Sequence, residues 1–223
     1  MTQTQTRHPP PGVRLMPGLL VAIAGGLLTG GFAAVAYYVD LLNPLAHAFT
    51  LWIVLIALLS ARQTWKVSAL RSVTGLATAV VSFYVGKKVV YDHLYSPPLL
   101  WNGDEVVEWL ALSVLAGGLL GWAFHGIGRN GRAGALSTGA AIGLLLGDVG
   151  RRLWSWRYGW SGDHDHEWSV LLTAALLGVA LVATAGVRSR RQLGEVVLWS
   201  VPLAVLGYVL VSLPDALEQL LVT

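Results

Sequence analysis

The chain has 223 residues, of which 55% are apolar and 12% charged, with 26 Gly, 10 Trp and no Cys. A soluble domain carries about 25% charged residues, so half that share excludes an ordinary water-exposed surface. The missing thiols exclude disulfides, thiolate metal sites and thiol-redox chemistry.

In chain order, Met1 to Gly12 is polar and aperiodic, with Pro9, Pro10 and Pro11 in a row. It reads as part of a disordered cytoplasmic tail over residues 1–14, leaving 15–223 as one transmembrane domain. The stretch Leu15 to Val39 has no Asp, Glu, Lys or Arg. Although Ala34-Val35-Ala36 imitates a cleavage site, this run exceeds the roughly 7 to 15 residues of a signal core, and it reads as a first spanning helix. Six further uncharged stretches follow: Leu41 to Ala61, Ser72 to Gly86, Trp109 to Gly128, Ala133 to Gly147, Trp168 to Val187 and Val196 to Pro214. A helix needs about 20 mostly apolar residues to cross a hydrocarbon core of about 30 Å. The expected fold is therefore all-α: a polytopic transmembrane helix bundle of seven spans. The third and fifth stretches are short, and both reach spanning length if their helices continue through charged residues at the outer end.

Orientation follows from Lys and Arg in the short loops. With the N-terminus cytoplasmic, ten of the fifteen basic residues lie inside: Arg7, Arg14, Arg62, Lys66, Arg71, Arg129, Arg132, Arg188, Arg190 and Arg191. Every acidic residue except Glu195 falls at or near the outer side. The N-terminus is expected inside and the C-terminus outside, in the bacterial plasma membrane. The net charge of +3 then reflects topology, and no nucleic-acid partner is implied.

Helices in lipid associate where small residues let backbones approach. Ala22, Gly26, Gly30 and Ala34 form such a line in the first span, Gly117 and Gly121 in the fourth, and Gly139, Gly143 and Gly147 in the fifth. This GxxxG-type packing predicts that the first, fourth and fifth spans form the tight centre, with the sixth and seventh peripheral. The pentapeptide Ala24 to Leu28 recurs as Ala116 to Leu120 in helices of opposite direction, a short match of the kind an inverted repeat would leave.

The outer face holds the unusual chemistry. Extending the third span places Lys87 and Lys88 in its last turns, and extending the fifth adds Asp148, Arg151 and Arg152. Ionisable groups at membrane depth are costly and usually pair or line an aqueous cavity. Residues three or four apart share a helix face, so Lys88 can reach Asp92, Asp148 can reach Arg151 or Arg152, and Tyr84, Lys88, Tyr91 and Tyr95 form a stripe. Glu105 and Glu108 open the fourth span on the same side. One reading is structural: the charges neutralise one another and long basic chains snorkel to the headgroups. The other is a ligand pocket lined by Lys87, Lys88, Arg151 and Arg152, walled by Tyr84 and Tyr91, with Asp148, Glu105 and Glu108 as polar counterparts. Guanidinium groups grip carboxylate or phosphate at two points, so such a pocket suits a small anionic or amphiphilic molecule. The segment Arg151 to Trp160, rich in Trp and Arg, reads as an interfacial helix or re-entrant cap.

The loop Gly162 to Glu167 contains His164 and His166, but zinc sites usually gather about four ligands from separated positions, so neither metal nor cofactor is expected. His47 and His125 fall within spans, in packing or pore-lining roles.

No later span carries a His that could serve a serine nucleophile in the run Gly134 to Gly139, and paired-Asp or Glu-Glu signatures are absent. The glycines 25, 26, 30 and 31, the pair Phe83-Tyr84, Gly117, Gly118, Gly121 and Trp122, and Gly147 followed by Asp148 form a pattern. From Leu19 to Leu213 this pattern resembles a family of small multispanning bacterial membrane proteins classified only as a domain of unknown function, which implies no activity. The small-residue line of the first span is also similar to that of substrate-binding subunits of energy-coupling vitamin importers, from which a seventh span would set this chain apart. The favoured expectation is a transporter, or the membrane subunit of one, in contact with lipid, a small-molecule ligand and a membrane-protein partner. The alternatives are an enzyme acting on a lipid-like substrate through Asp148 or Glu108, and a structural subunit.

Overall fold

The computed structural model describes residues 15–95, 103–159 and 165–222, with side chains over 15–95, 103–154 and 168–212. The expected tail at 1–14 and residues 162–164 of the His164 loop lie outside these residues, whereas Asp165, His166 and Glu167 open α7 and do not form a loop. Eight helices are present among them: α1 (Leu15–Tyr37), α2 (Asn43–Ala46), α3 (Thr50–Ser60), α4 (Trp65–Leu94), α5 (Gly103–Phe124), α6 (Arg132–Gly159), α7 (Asp165–Gly186) and α8 (Arg190–Val222). Six of these, all but α2 and α3, are long and apolar enough to cross a membrane. The all-helical bundle is thus as expected, and the two short stretches do run on through their charges, α4 reaching Leu94 and α6 reaching Gly159. Arg151 to Gly159 therefore forms the last turns of α6 and is not a separate cap.

The second stretch departs from expectation. In place of one spanning helix it forms the single turn of α2, a break at His47 to Phe49, and the 11-residue α3, which covers only about 16 Å at 1.5 Å per residue. Asn-Pro dipeptides mark turns, and Asn43-Pro44 stands where the uninterrupted helix would have had to pass. The Asn43 side-chain amide donates to the Tyr37 carbonyl at 2.7 Å, which ties the turn back to the end of α1.

Large apolar side chains such as Leu20, Leu28, Leu119, Leu176, Leu198 and Val205 lie exposed on the outside of the bundle, as a lipid-facing surface requires. The centre is α6: 67% of its spanning window is buried, against 17% to 33% for the other five. Of the three helices expected to form that centre, only α6 occupies it. The small-residue lines instead meet different neighbours. Gly26 and Gly30 of α1 lie against the α4 backbone at Gly75 and Ala79, Gly117 and Gly121 of α5 against α4 at Val73 and Ala69, and Gly143 and Gly147 of α6 against α8 at Leu203 and Tyr208. A line of small residues permits close approach without specifying which backbone arrives. The pentapeptide repeat likewise has no common structural role, since Gly26 meets α4 closely while its counterpart Gly118 faces open space.

At the end of the bundle where α1, α4, α6 and α8 begin, the connections are short and tied together. Arg62, at φ 60°, donates its backbone N–H to the Ile127 carbonyl at 2.9 Å, and Gly128 and Gly131 take the positive φ values that turn the chain from α5 into α6. Gln192, 4% exposed, accepts from the Arg188 N–H at 2.9 Å and donates to the carbonyls of Arg129 at 2.9 Å and Gly186 at 3.4 Å. The Arg129 guanidinium donates to the Gln63 carbonyl at 2.6 Å, joining the third connection to the other two.

Candidate functional site

The opposite end is open. A cavity of about 1160 Å³ lies there, with walls from α1 to α8. Around its mouth stand Lys87 of α4, Arg151 and Arg152 of α6, Tyr84, Glu105 and His47. Below them the walls are apolar: Trp52, Ile53 and Ile56 from α3, Leu76 and Val80 from α4, Leu112, Ala116 and Leu120 from α5, Leu144 from α6 and Val211 from α8. Among the described lining residues, three cations face one carboxylate.

Each charged group is held from the sequence upward. Lys87 sits one turn beyond Phe83 on α4, and its ammonium lies 4.2 Å above the Tyr37 ring, within cation–π range. Its carbonyl accepts from the Tyr38 hydroxyl at 3.2 Å. Tyr84 donates to the Glu105 carboxylate at 2.8 Å across the antiparallel α4–α5 pair, which brings the first turn of α5 to the cavity rim. Arg151 places its guanidinium 5.3 Å from the Phe49 ring and 3.5 Å from Asp148.

Asp148 is 1% exposed and lies behind the cavity wall. One carboxylate oxygen accepts from both the Thr50 backbone N–H at 3.1 Å and the Thr50 hydroxyl at 3.2 Å, and the other faces Arg151. Thr50 is the first residue of α3, whose own preceding residue, Phe49, offers no side-chain cap. Asp148 therefore caps the broken helix from a different element, supplying negative charge where orphan N–H groups and the helix dipole favour it. The break can persist inside the bundle because its exposed backbone finds this partner.

His47 lies in the break, outside the six spanning helices, with its ring 5.3 Å from Tyr37. Burial, and after it the positive charges of Arg152 and Lys87, hold its pKa below the usual histidine value, so the ring stays neutral at pH 7.

The nine residues expected to form a pocket are thus divided. Lys87, Arg151, Arg152, Tyr84 and Glu105 line one cavity, and Asp148 supports it from behind. Lys88 does not line it and pairs with Asp92 at 2.9 Å on the outer face of α4. Tyr91 stacks 4.9 Å from Tyr95 and 6.3 Å from Tyr38. Glu108, three residues after Glu105, is exposed and does not line the cavity. His125 is at the tied end, in the turn after α5, with its Nδ1 near the Trp122 carbonyl. The sequence reading missed Thr50 and Trp52, and it put His47, expected in a packing or pore-lining role, within a continuous span where the chain is broken. Their signal was Asn43-Pro44, which argues for a break and hence for backbone and side chains turned into the interior. Among the described residues, no group of three or more His, Asp or Glu could hold a metal ion.

These features define a helical protein of membrane-spanning character with one charged-mouthed cavity beside a broken helix. Residues 9–217 match the model of a family of unknown function, DUF6518, and the chain belongs to that family. No curated protein and no solved structure matches it.

Proposed function

We propose that the chain is a membrane-embedded ligand-binding protein, N-terminus in the cytoplasm, that receives an anionic molecule in the cavity at its outer face and acts as a transporter or the membrane subunit of one. The observation that carries this reading is the meeting of Lys87, Arg151 and Arg152, from two helices far apart in sequence, around one cavity. Snorkelling alone would direct basic chains outward to headgroups, whereas Arg151 turns toward Phe49 and a buried carboxylate. The polarity of the loops supports the orientation: Arg62, Arg129 and Arg188 lie at the tied end, which the bias of basic residues assigns to the cytoplasm. A carrier also needs one end closed while the other is open, and Gln192 with Arg129 would supply the closure. The enzyme reading gains no support, because both oxygens of Asp148 are engaged in capping α3 and facing Arg151, and Glu108 does not line the cavity.

Native mass spectrometry after gentle extraction tests the proposal. The intact chain is expected to retain a small anionic molecule, and the Lys87→Gln/Arg152→Gln double variant, which leaves the Arg151–Asp148 pair in place, to lose it at nearly unchanged stability. Equal retention by both proteins would remove the cavity from consideration as an anion site.

A further inference from the structure

The cavity's shape narrows the chemistry of what it would hold. Along α4 the lining runs from Lys87 down to Leu76, and along α5 from Glu105 down to Leu120, distances of about 16 Å and 22 Å at 1.5 Å rise per residue. Half of a bilayer's hydrocarbon core is about 15 Å. The described charged lining groups occupy the top of this depth, and below them the walls are almost wholly apolar. The slot also has a side opening. Among the described residues, α5 and α8 both contribute to the lining but do not pack along each other. Leu119 of α5 and Leu210 of α8 line the cavity and are 68% and 43% exposed, so the wall is not closed over them. The slot is shut below, where Gly126, just beyond α5, meets Ala133 and Ser137 of α6. A small hydrophilic anion would use only the mouth and leave this apolar volume unoccupied.

Resting on the anion-site reading above, we infer that the ligand is an amphiphile with a phosphate or carboxylate head and one long apolar chain, entering sideways from the outer leaflet between α5 and α8. The head meets Lys87, Arg151 and Arg152 while the chain lies along Leu112, Ala116 and Leu120. Charge complementarity fixes the head, and the match between slot depth and one leaflet fixes the tail.

The test uses the full chain in phosphatidylcholine nanodiscs, with radiolabelled dodecyl phosphate and inorganic phosphate as probes, counted against empty discs. Dodecyl phosphate is expected to bind saturably and at least about tenfold more tightly than inorganic phosphate, since each buried methylene adds favourable transfer free energy. Ala116→Phe, which fills the slot, and Leu119→Trp, whose larger ring takes lining volume at the side opening that the bound chain would occupy, should each weaken dodecyl phosphate by about tenfold and leave inorganic phosphate unchanged. Leu119→Trp keeps the test decisive should Ala116→Phe fail to fold. Equal binding of the two probes, or dodecyl phosphate binding indifferent to Leu119→Trp, would overturn the amphiphile and keep the anion site. Binding of neither probe above empty discs would overturn both.

Discussion

The two ends of the bundle solve the same problem in opposite ways. Both must bring several chain segments together at a membrane boundary and satisfy the backbone groups that helices leave unpaired at their ends. The tied end does so around a buried neutral amide: Gln192 takes the Arg188 N–H and gives its own to Gly186 at the end of α7 and to Arg129 of the α5–α6 connection, the Arg129 guanidinium reaches Gln63, and the helices close over Phe124 and Ile127, both fully buried. The open end does so with charge, since Asp148 caps α3 from α6 and the neighbouring cations stand around a space that is left unfilled. Neutral hydrogen bonds permit dense packing, whereas charged groups in a low-dielectric setting must be given partners and room. By comparison with the tied end, the cavity is built around the broken helix and is not simply a gap left by poor packing.

The largest expected effect breaks the open end. Asp148→Ala removes an acceptor from the Thr50 N–H and hydroxyl and a partner from Arg151, leaving buried donors and a cation without compensation. Losing one member of a buried charged pair costs about 3–5 kcal/mol, so the variant should unfold in detergent at a much lower temperature than the parent. Asp148→Asn keeps an oxygen for Thr50 and should recover part of the loss. Equal losses for the two variants would mean that the capping bonds contribute little.

The matching variant at the tied end is Gln192→Ala. It leaves the Arg188 N–H and the Arg129 carbonyl without their partner, at about 1 kcal/mol for each hydrogen bond, so about 2 kcal/mol in all. Hydrogen exchange should quicken at residues 126–131 while the amides around Thr50 stay protected. Quickening at both ends would show that the ends do not hold independently.

A third measurement separates the ends by pH. The folded pKa of His47 is depressed, first by burial and then by Arg152 and Lys87. Between the unfolded value of about 6.5 and the lower folded value, the unfolded chain takes up a proton that the folded chain refuses. Stability contributed by this residue is therefore present above about pH 6.5 and declines as pH falls through the folded pKa. His47→Gln should flatten the acid side of the thermal-stability profile by a margin smaller than either effect above. An unchanged profile would place the titration elsewhere.

How much of this was legible beforehand depended on the kind of signal. Uncharged length revealed the membrane-spanning helices, because the bilayer sets a minimum span that no other constraint relaxes. The convergence of Lys87 with Arg151 and Arg152 was legible because charge at depth is too costly to be left without a partner or a cavity. Packing partners were not legible. Gly26 and Gly117 look alike in sequence, and both pack on α4, but Gly143 packs on α8, since a missing Cβ allows approach to any backbone that arrives. The break at His47 to Phe49 was masked by the apolar composition around it, and Asn43-Pro44 was the one local sign against a continuous helix. The cap from Asp148 could not be read at all, because it joins residues 98 positions apart.

The smallest effect sharpens the boundary of the open end. Lys87 and Lys88 are consecutive, but a helix turns about 100° per residue, so one meets the cavity over Tyr37 while the other pairs with Asp92 on the outer face, where both side chains are about a third exposed. An exposed pair four residues apart on a helix contributes about 0.3–0.5 kcal/mol. Lys88→Gln should accordingly shift thermal stability by no more than that and leave anion retention as in the parent. Lys87→Gln should leave stability nearly as high while lowering retention, because its ammonium stands among the lining groups. If Lys88→Gln lowered retention as far as Lys87→Gln, the relevant positive charge would be spread over the whole C-terminal end of α4, and the cavity mouth would lose its claim to be a distinct site.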